Sequence, residues 1–269
     1  MKLVKYIAIF IQICLVTIAC EQIPENERLI GVEQVPYERT VILEDYTGQK
    51  CINCPNAHHE IEKLAQIYGI KLIPVSIHAG VFSLSSFQTQ AGSEYNTFFK
   101  VEAYPTGMVN RKKTQEGKFS LLSDIATWQA AIRQVIWEKP AYEIALVCNF
   151  NVSDSLLNIS ATIEKTNPTH HGKISLQLWL IENDITAIQY LPDGSRNKNY
   201  VHQHVLREAV NGVWGEEITF NNGISKIIKH DCSFHLKKWN VANCEIVAFV
   251  YDTQSYEILE AIRKTLISN

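Results

Sequence analysis

The stretch Cys51-Ile52-Asn53-Cys54-Pro55 constrains this chain most, because it falls where an apolar strand pattern (Val41, Ile42, Leu43) gives way to a helical one (Ile61, Leu64, Ala65, Tyr68). Pro55 suits a first helical turn, whose N–H groups lack partners in any case, and Gly69 suits the end, so the spacing predicts a helix over 55–68. Two thiols are thereby set at a helix N-terminus. Free amide N–H groups and the positive end of the helix dipole favour a thiolate there and make the first cysteine a nucleophile for disulfide exchange. A structural disulfide, or part of a zinc site, satisfies the same spacing. Lys71 to Ile77 returns as a second strand, which completes a βαβ unit with a parallel sheet.

At the N-terminus, Lys2 and Lys5 precede an uncharged run from Tyr6 to Ala19. That run is shorter than the roughly 20 residues a bilayer-spanning helix needs, and an acidic segment follows it, so residues 1–19 read as an export signal. Cys20 follows Thr17-Ile18-Ala19, the position of the acylated cysteine in a bacterial lipobox, although Thr17 departs from the usual Leu. An ordinary signal peptide, with Cys14 and Cys20 incidental, is the alternative. Residues 20–38, with Pro24 and Pro36 and no periodicity, read as a tether that reaches the membrane through the lipid. A net charge of −3 without a long basic run gives no reason to expect nucleic acid as a partner. Seven cysteines in an exported chain place it where disulfides persist.

Two domains are expected in the roughly 250 residues that remain after export. Residues 39–139 carry the βαβ unit, a less regular stretch from His78 to Glu102, a strand pair (Met108 to Arg111, Gly117 to Leu121) and a helix over 124–137 capped by Ser123. From 140 to 269 the pattern changes to short alternating runs: 144–150, 156–163, 174–180, 204–210, 215–220, 233–236 and 246–251. Turns such as Pro192-Asp193-Gly194 and Asn221-Asn222-Gly223 separate them. The predicted fold class is an α/β thioredoxin-like domain followed by an all-β immunoglobulin-like sandwich domain.

A thioredoxin-like domain also needs a cis-proline loop beside the dithiol. Ala103-Tyr104-Pro105-Thr106 stands in the right order for it, so Tyr104-Pro105 is the candidate cis bond, with an ordinary trans bond as the alternative. Asp45 stands six positions before Cys51 and shares strand parity with Val41 and Leu43. As a buried carboxyl it would carry a raised pKa and take the proton of Cys54; Glu44 competes for that role, and a solvent-facing acid is the simpler alternative. The candidate catalytic set is Cys51 as the attacking or attacked thiol, the more exposed of the two, Cys54 as the resolving thiol, Pro105 and Asp45, with Lys50 lowering the Cys51 pKa. No cofactor is expected. His58, one turn after Cys54, and His78 raise the rival of a zinc or copper site with both cysteines, but its fourth ligand lacks support and no metal is assigned. His202, His204 and Arg207 read as a polar sandwich face, and Cys232 with Cys244 as a candidate bridge between neighbouring strands that leaves Cys148 a buried thiol.

Thr47-Gly48 before Cys51-Ile52-Asn53-Cys54-Pro55, Val75-Ser76-Ile77-His78-Ala79-Gly80 and Pro105-Thr106-Gly107-Met108-Val109-Asn110-Arg111 together resemble the outer membrane protein twenty-eight family of Bacteroidetes. Val205-Leu206-Arg207 with Gly212, and Ile246 through Asp252, resemble its C-terminal region. The resemblance implies a surface or outer-membrane lipoprotein, and for that family adhesion to host or matrix proteins has been proposed. Two functions follow. One is a thiol-disulfide oxidoreductase or redox-linked binder of protein thiols and extended peptides; the other is an adhesion lipoprotein whose cysteine pair staples a loop. The residues leave turnover, the direction of electron flow and the membrane face open.

Overall fold

Strand β1 (Val41–Thr47) is buried at all seven positions because both of its faces are covered. Val41 and Leu43 face helix α1 (Cys54–Tyr68), whose buried stripe is Cys54, Ala57, Ile61, Leu64 and Tyr68, while Ile42 and Tyr46 face a second core on the other side. A proline in the first turn starts α1, and Gly69, at φ 56°, ends it. Strand β2 (Leu72–His78) runs parallel to β1. Helix α2 (Gln90–Phe98) opens on the Thr89 hydroxyl, which accepts from the Gly92 N–H at 2.9 Å. Strand β3 (Thr106–Val109) pairs antiparallel with β1, and the expected second strand of that hairpin is reduced to bridges at Lys113–Phe119 and Gly107–Leu122. Helix α3 (Trp128–Val135) follows a 3-10 turn at Ile125–Thr127 that is capped by Asp124 rather than Ser123, since the Asp124 carboxylate accepts from the Ala126 N–H at 3.0 Å.

The computed structural model describes residues 38–220 and 225–267. The expected signal at 1–19, the lipidation of Cys20, nearly all of the tether and the turn at Asn221-Asn222-Gly223 lie outside the described residues. Among the described residues no helix is long and apolar enough to cross a membrane.

Among the described residues ten strands follow: β4 (Tyr142–Asn151), β5 (Leu156–Lys165), β6 (Ile174–Glu182), β7 (Ile185–Tyr190), β8 (Arg196–His202), β9 (Val205–Ala209), β10 (Glu216–Ile218), β11 (Ser225–Ser233), β12 (Cys244–Asp252) and β13 (Ile258–Thr265). They do not close into a domain of their own. The main sheet runs β13-β12-β6-β9-β2-β1-β3, with β10 added beside β6, so it crosses the boundary expected at 139/140. At the seam β9 lies parallel to β2, and the Ser76 N–H donates to the His204 carbonyl at 2.8 Å. The described residues accordingly belong to one compact unit. A sandwich-like arrangement survives in part: the sheet β11-β5-β4 packs on one face of β6 and β12 through Leu157, Ile159, Leu178, Leu180, Ile246 and Ala248. The separate immunoglobulin-like domain is corrected to a second layer on a shared sheet. The reason lies in β6, buried at all nine positions: its other face packs Trp179 and Ile181 against α2 and the core of the first half.

Arg111 locks this shared core. Asn110 and Arg111 both take positive φ (45° and 53°), which turns the chain after β3 and sends the guanidinium inward. There Arg111 Nε donates to Glu44 Oε1 at 2.7 Å, and its Cζ lies 5.1–5.7 Å from the ring centres of Tyr95, Phe99, Trp179, Phe249 and Tyr251. The Ile258 N–H of β13 donates to the Asn110 carbonyl at 3.0 Å, so the far edge of the sheet also meets this turn.

Candidate functional site

Cys51 and Cys54 form a disulfide with a Cα–Cα distance of 5.5 Å. The Cys54 N–H, at the start of α1, donates to Cys51 Sγ at 3.1 Å, so the helix N-terminus is aimed at the first sulfur. Cys51 is the more accessible of the two, as expected, yet it is only 4% exposed against 0% for Cys54. Ile52, at 45%, takes the surface instead. Two distant segments account for the burial. From β7, Gln189 Nε2 donates to the Cys51 carbonyl at 2.9 Å, and the Tyr190 N–H donates to the Gln49 carbonyl at 2.8 Å. From the loop after β2, the Phe82 carbonyl accepts from the Lys50 N–H at 2.8 Å. Gly48 permits that approach: a Cβ there would fall 2.6 Å from the Phe82 carbonyl group. Gly48→Ala is therefore expected to cost about 1–3 kcal/mol in urea unfolding, as overpacking does, and an unchanged midpoint would show that the loop yields freely.

The Tyr104–Pro105 bond is cis. Pro105 is buried and lines an open groove with Asn53 and Asn56 of the α1 start, Tyr104, Asp124 and Ile125. The proline loop and the cysteine turn thus share one cleft. On the inner side, Asp45 is wholly buried and neither carboxylate oxygen has a hydrogen-bond partner; desolvation pushes its pKa up to about 8. Glu44, on the opposite face of β1, is committed to Arg111 and accepts from Tyr46 Oη at 3.1 Å, so it plays no part at the dithiol. Burial raises its carboxyl as well, against the pull of Arg111. Lys50 is exposed.

The residues that sequence reading missed are Tyr200 and Gln189, and the histidines, weighed there only as metal ligands or a polar face, are brought together. His58 Nε2 lies 3.7 Å from Asp45 Oδ2 and 3.0 Å from Thr47 Oγ1, and its Nδ1 lies 2.8 Å from Tyr200 Oη. His202, expected on a polar face, is 1% exposed, with its ring 5.6 Å from that of His78, 6.3 Å from that of His58 and 4.9 Å from Phe87. Burial lowers all of them: His58 to about 3, His202 and His204 to about 4, His78 well below the usual value. They stay neutral at pH 7. The available signal was His202 and His204 two residues apart beside Tyr200, but nothing local says that a polar hairpin folds back over α1. Arg207 pairs with Glu182 at 3.3 Å.

For metal, the two cysteines are joined to each other and both His58 nitrogens are engaged. Among the described residues no group of three or more His, Cys, Asp or Glu side chains is placed to hold an ion. The Cys232–Cys244 bridge is also corrected. Both are free buried thiols, pushed up to about 12 by burial, and Cys232 on β11 and Cys244 on β12 belong to different sheets rather than to neighbouring strands. Cys148 is a free, half-buried thiol.

The family described as Outer membrane protein Omp28 matches residues 92–269, about two thirds of the chain. Among solved structures, the chain is similar to HBP35 of Porphyromonas gingivalis at 18% identity and a TM-score of 0.70, over 86% of this chain and 76% of that one. That likeness is one of fold. A domain of the outer membrane lipoprotein Omp28 from Porphyromonas gingivalis is 23% identical, over 46% of this chain and 93% of that one, at a TM-score of 0.34. No curated protein matches. With the family matched over most of its length, the chain belongs to the Omp28 family of outer membrane proteins.

Proposed function

We propose that this chain is an outer membrane protein, anchored by a lipid on Cys20, whose Cys51–Cys54 pair exchanges disulfides with protein thiols or with cysteines in extended peptides. The observation that carries the reading is the setting of the disulfide at the start of α1: Asn53 and Asn56 there line the groove that contains Pro105, and Asp45, buried without a hydrogen-bond partner, lies 3.7 Å from His58, one turn after Cys54. A thiolate of the partner attacks Cys51 Sγ, the S–S bond breaks, and its electron pair leaves on Cys54 Sγ. A bare thiolate at Cys54, with no exposure to water, would be costly. Asp45, neutral below about pH 8, supplies its proton.

The burial of Cys51 favours a second reading, in which the disulfide staples the loop under β7 and the chain serves as a surface adhesion protein for host or matrix proteins. Reduction of insulin by dithiothreitol separates the two. The wild-type chain is expected to accelerate it and Cys51→Ser to return it to the uncatalysed rate. Equal rates for both, together with a disulfide potential below about −300 mV, would leave only the staple.

A further inference from the structure

Asp45 poses a problem for the chemistry proposed above, on which this inference rests. A carboxyl with no exposure and no hydrogen-bond partner has no direct way to exchange its proton with water. The neighbours of His58 supply one. His58 sits on α1 one turn after Cys54, on the same face, with Asp45 Oδ2 3.7 Å from Nε2 and Tyr200 Oη 2.8 Å from Nδ1. Tyr200 comes from β8, in the half of the chain that the thioredoxin-like elements do not include, and it opens with His58 onto a small cavity bordered by Glu62, Val201 and Gln203. Glu62 is 65% and Val201 47% exposed, so the tyrosine end of this path reaches the surface.

We propose that His58 and Tyr200 form a proton relay that connects Asp45, and through it Cys54, to solvent. In the oxidised protein His58 carries its proton on Nε2, toward Thr47 and Asp45, and Nδ1 accepts from the Tyr200 hydroxyl. When a substrate dithiol reduces the pair, one substrate thiolate attacks Cys51 Sγ, the Cys51–Cys54 bond breaks, and Cys54 Sγ keeps the electron pair and takes the Asp45 proton. The second substrate thiolate then displaces Cys51 from the mixed disulfide, so the substrate leaves as its disulfide and the two electrons stay on the protein. The Asp45 carboxylate is refilled from His58 Nε2 as the ring tilts from Thr47 toward it; Tyr200 passes its hydroxyl proton to Nδ1 and takes one from water. Oxidation by a disulfide partner runs every transfer backwards and returns the ring to its first tautomer.

The other charged or titratable groups around the ring are His78 from β2, His202 from β8, His204 just beyond it, and Glu62 on α1. The three histidines are held neutral by burial, which leaves the tautomer rather than the charge of His58 as the variable that the relay changes.

The test is a nitrogen-15 imidazole NMR spectrum of the full chain at pH 7, oxidised and after reduction with dithiothreitol, with the His58 signals assigned by their loss in His58→Gln. The expected result is a switch from the Nε2–H to the Nδ1–H pattern on reduction, lost in Tyr200→Phe and retained in the control Asn199→Ala on the same strand. One tautomer in both redox states, or a switch that persists in Tyr200→Phe, overturns the relay. This measurement needs no turnover, so failure of the relay is distinct from failure of the insulin assay, which tests the exchange activity itself.

Discussion

Arg111→Met is expected to destabilise the protein by about 3–5 kcal/mol, the range found when one partner of a buried ion pair is removed. The Arg111 side chain is 1% exposed and that of Glu44 0%, at 2.7 Å, so the variant strands a carboxyl that burial already holds above its usual pKa. It also empties the space between five aromatic rings drawn from α2, β6, β12 and the residue after α2. Because those rings come from both halves of the chain, the loss should appear as one cooperative shift of the urea midpoint rather than as a separate early transition. The double variant Glu44→Gln, Arg111→Met is expected to recover much of the loss, since no charge is then left unpaired. A loss below about 1 kcal/mol in the single variant would show that water reaches Glu44 and that the core is not closed around this pair.

The second large effect is on pH dependence. His78 is 2% exposed, neither ring nitrogen has a partner, and burial holds it neutral far below pH 6.5. The unfolded chain takes up a proton at the ordinary histidine value of about 6.5 and the folded chain does not, so stability is full above about pH 7 and is lost as the pH falls through 6.5. Each such group contributes a slope of up to about 1.4 kcal/mol per pH unit. His58, His202 and His204 act in the same direction. Asp45 opposes them: protonated when folded and ionised when unfolded between 3.8 and about 8, it adds stability as the pH falls through that window. Glu44 and Glu260, also raised, act with Asp45, so the difference between variants is more informative than the wild-type slope. His78→Leu is expected to flatten the dependence between pH 6 and 4.5 by about 1.4 kcal/mol per unit, read by urea titrations at several pH values. An unchanged slope would mean that His78 titrates when folded.

Helix α1 was legible because its apolar residues recur at helical spacing and its ends carry Pro55 and Gly69, signals contained within one segment. The dithiol, its place at the helix start and the parity that sets Asp45 beside Leu43 followed from the same local patterns. The polar hairpin of β7 and β8 was missed because it has no apolar alternation; β8 is exposed at Arg196–Asn199, and only Tyr200 and His202 turn inward. The boundary at 139/140 was misplaced because a strand covered on both faces looks the same whether its neighbours come from its own domain or another.

By itself, then, the sequence determined the segments: a βαβ start, a cysteine pair at a helix N-terminus, an acid in step with Val41 and Leu43 on β1 and a run of later strands. Only the tertiary structure decided their partners. It gave Glu44 to Arg111 across 67 residues, placed Tyr200 on His58 across 142, and hid Cys51 beneath Gln189. Periodicity is a property of neighbours in the chain, whereas the burial that shifts these pKa values is created by whichever distant segment displaces the water.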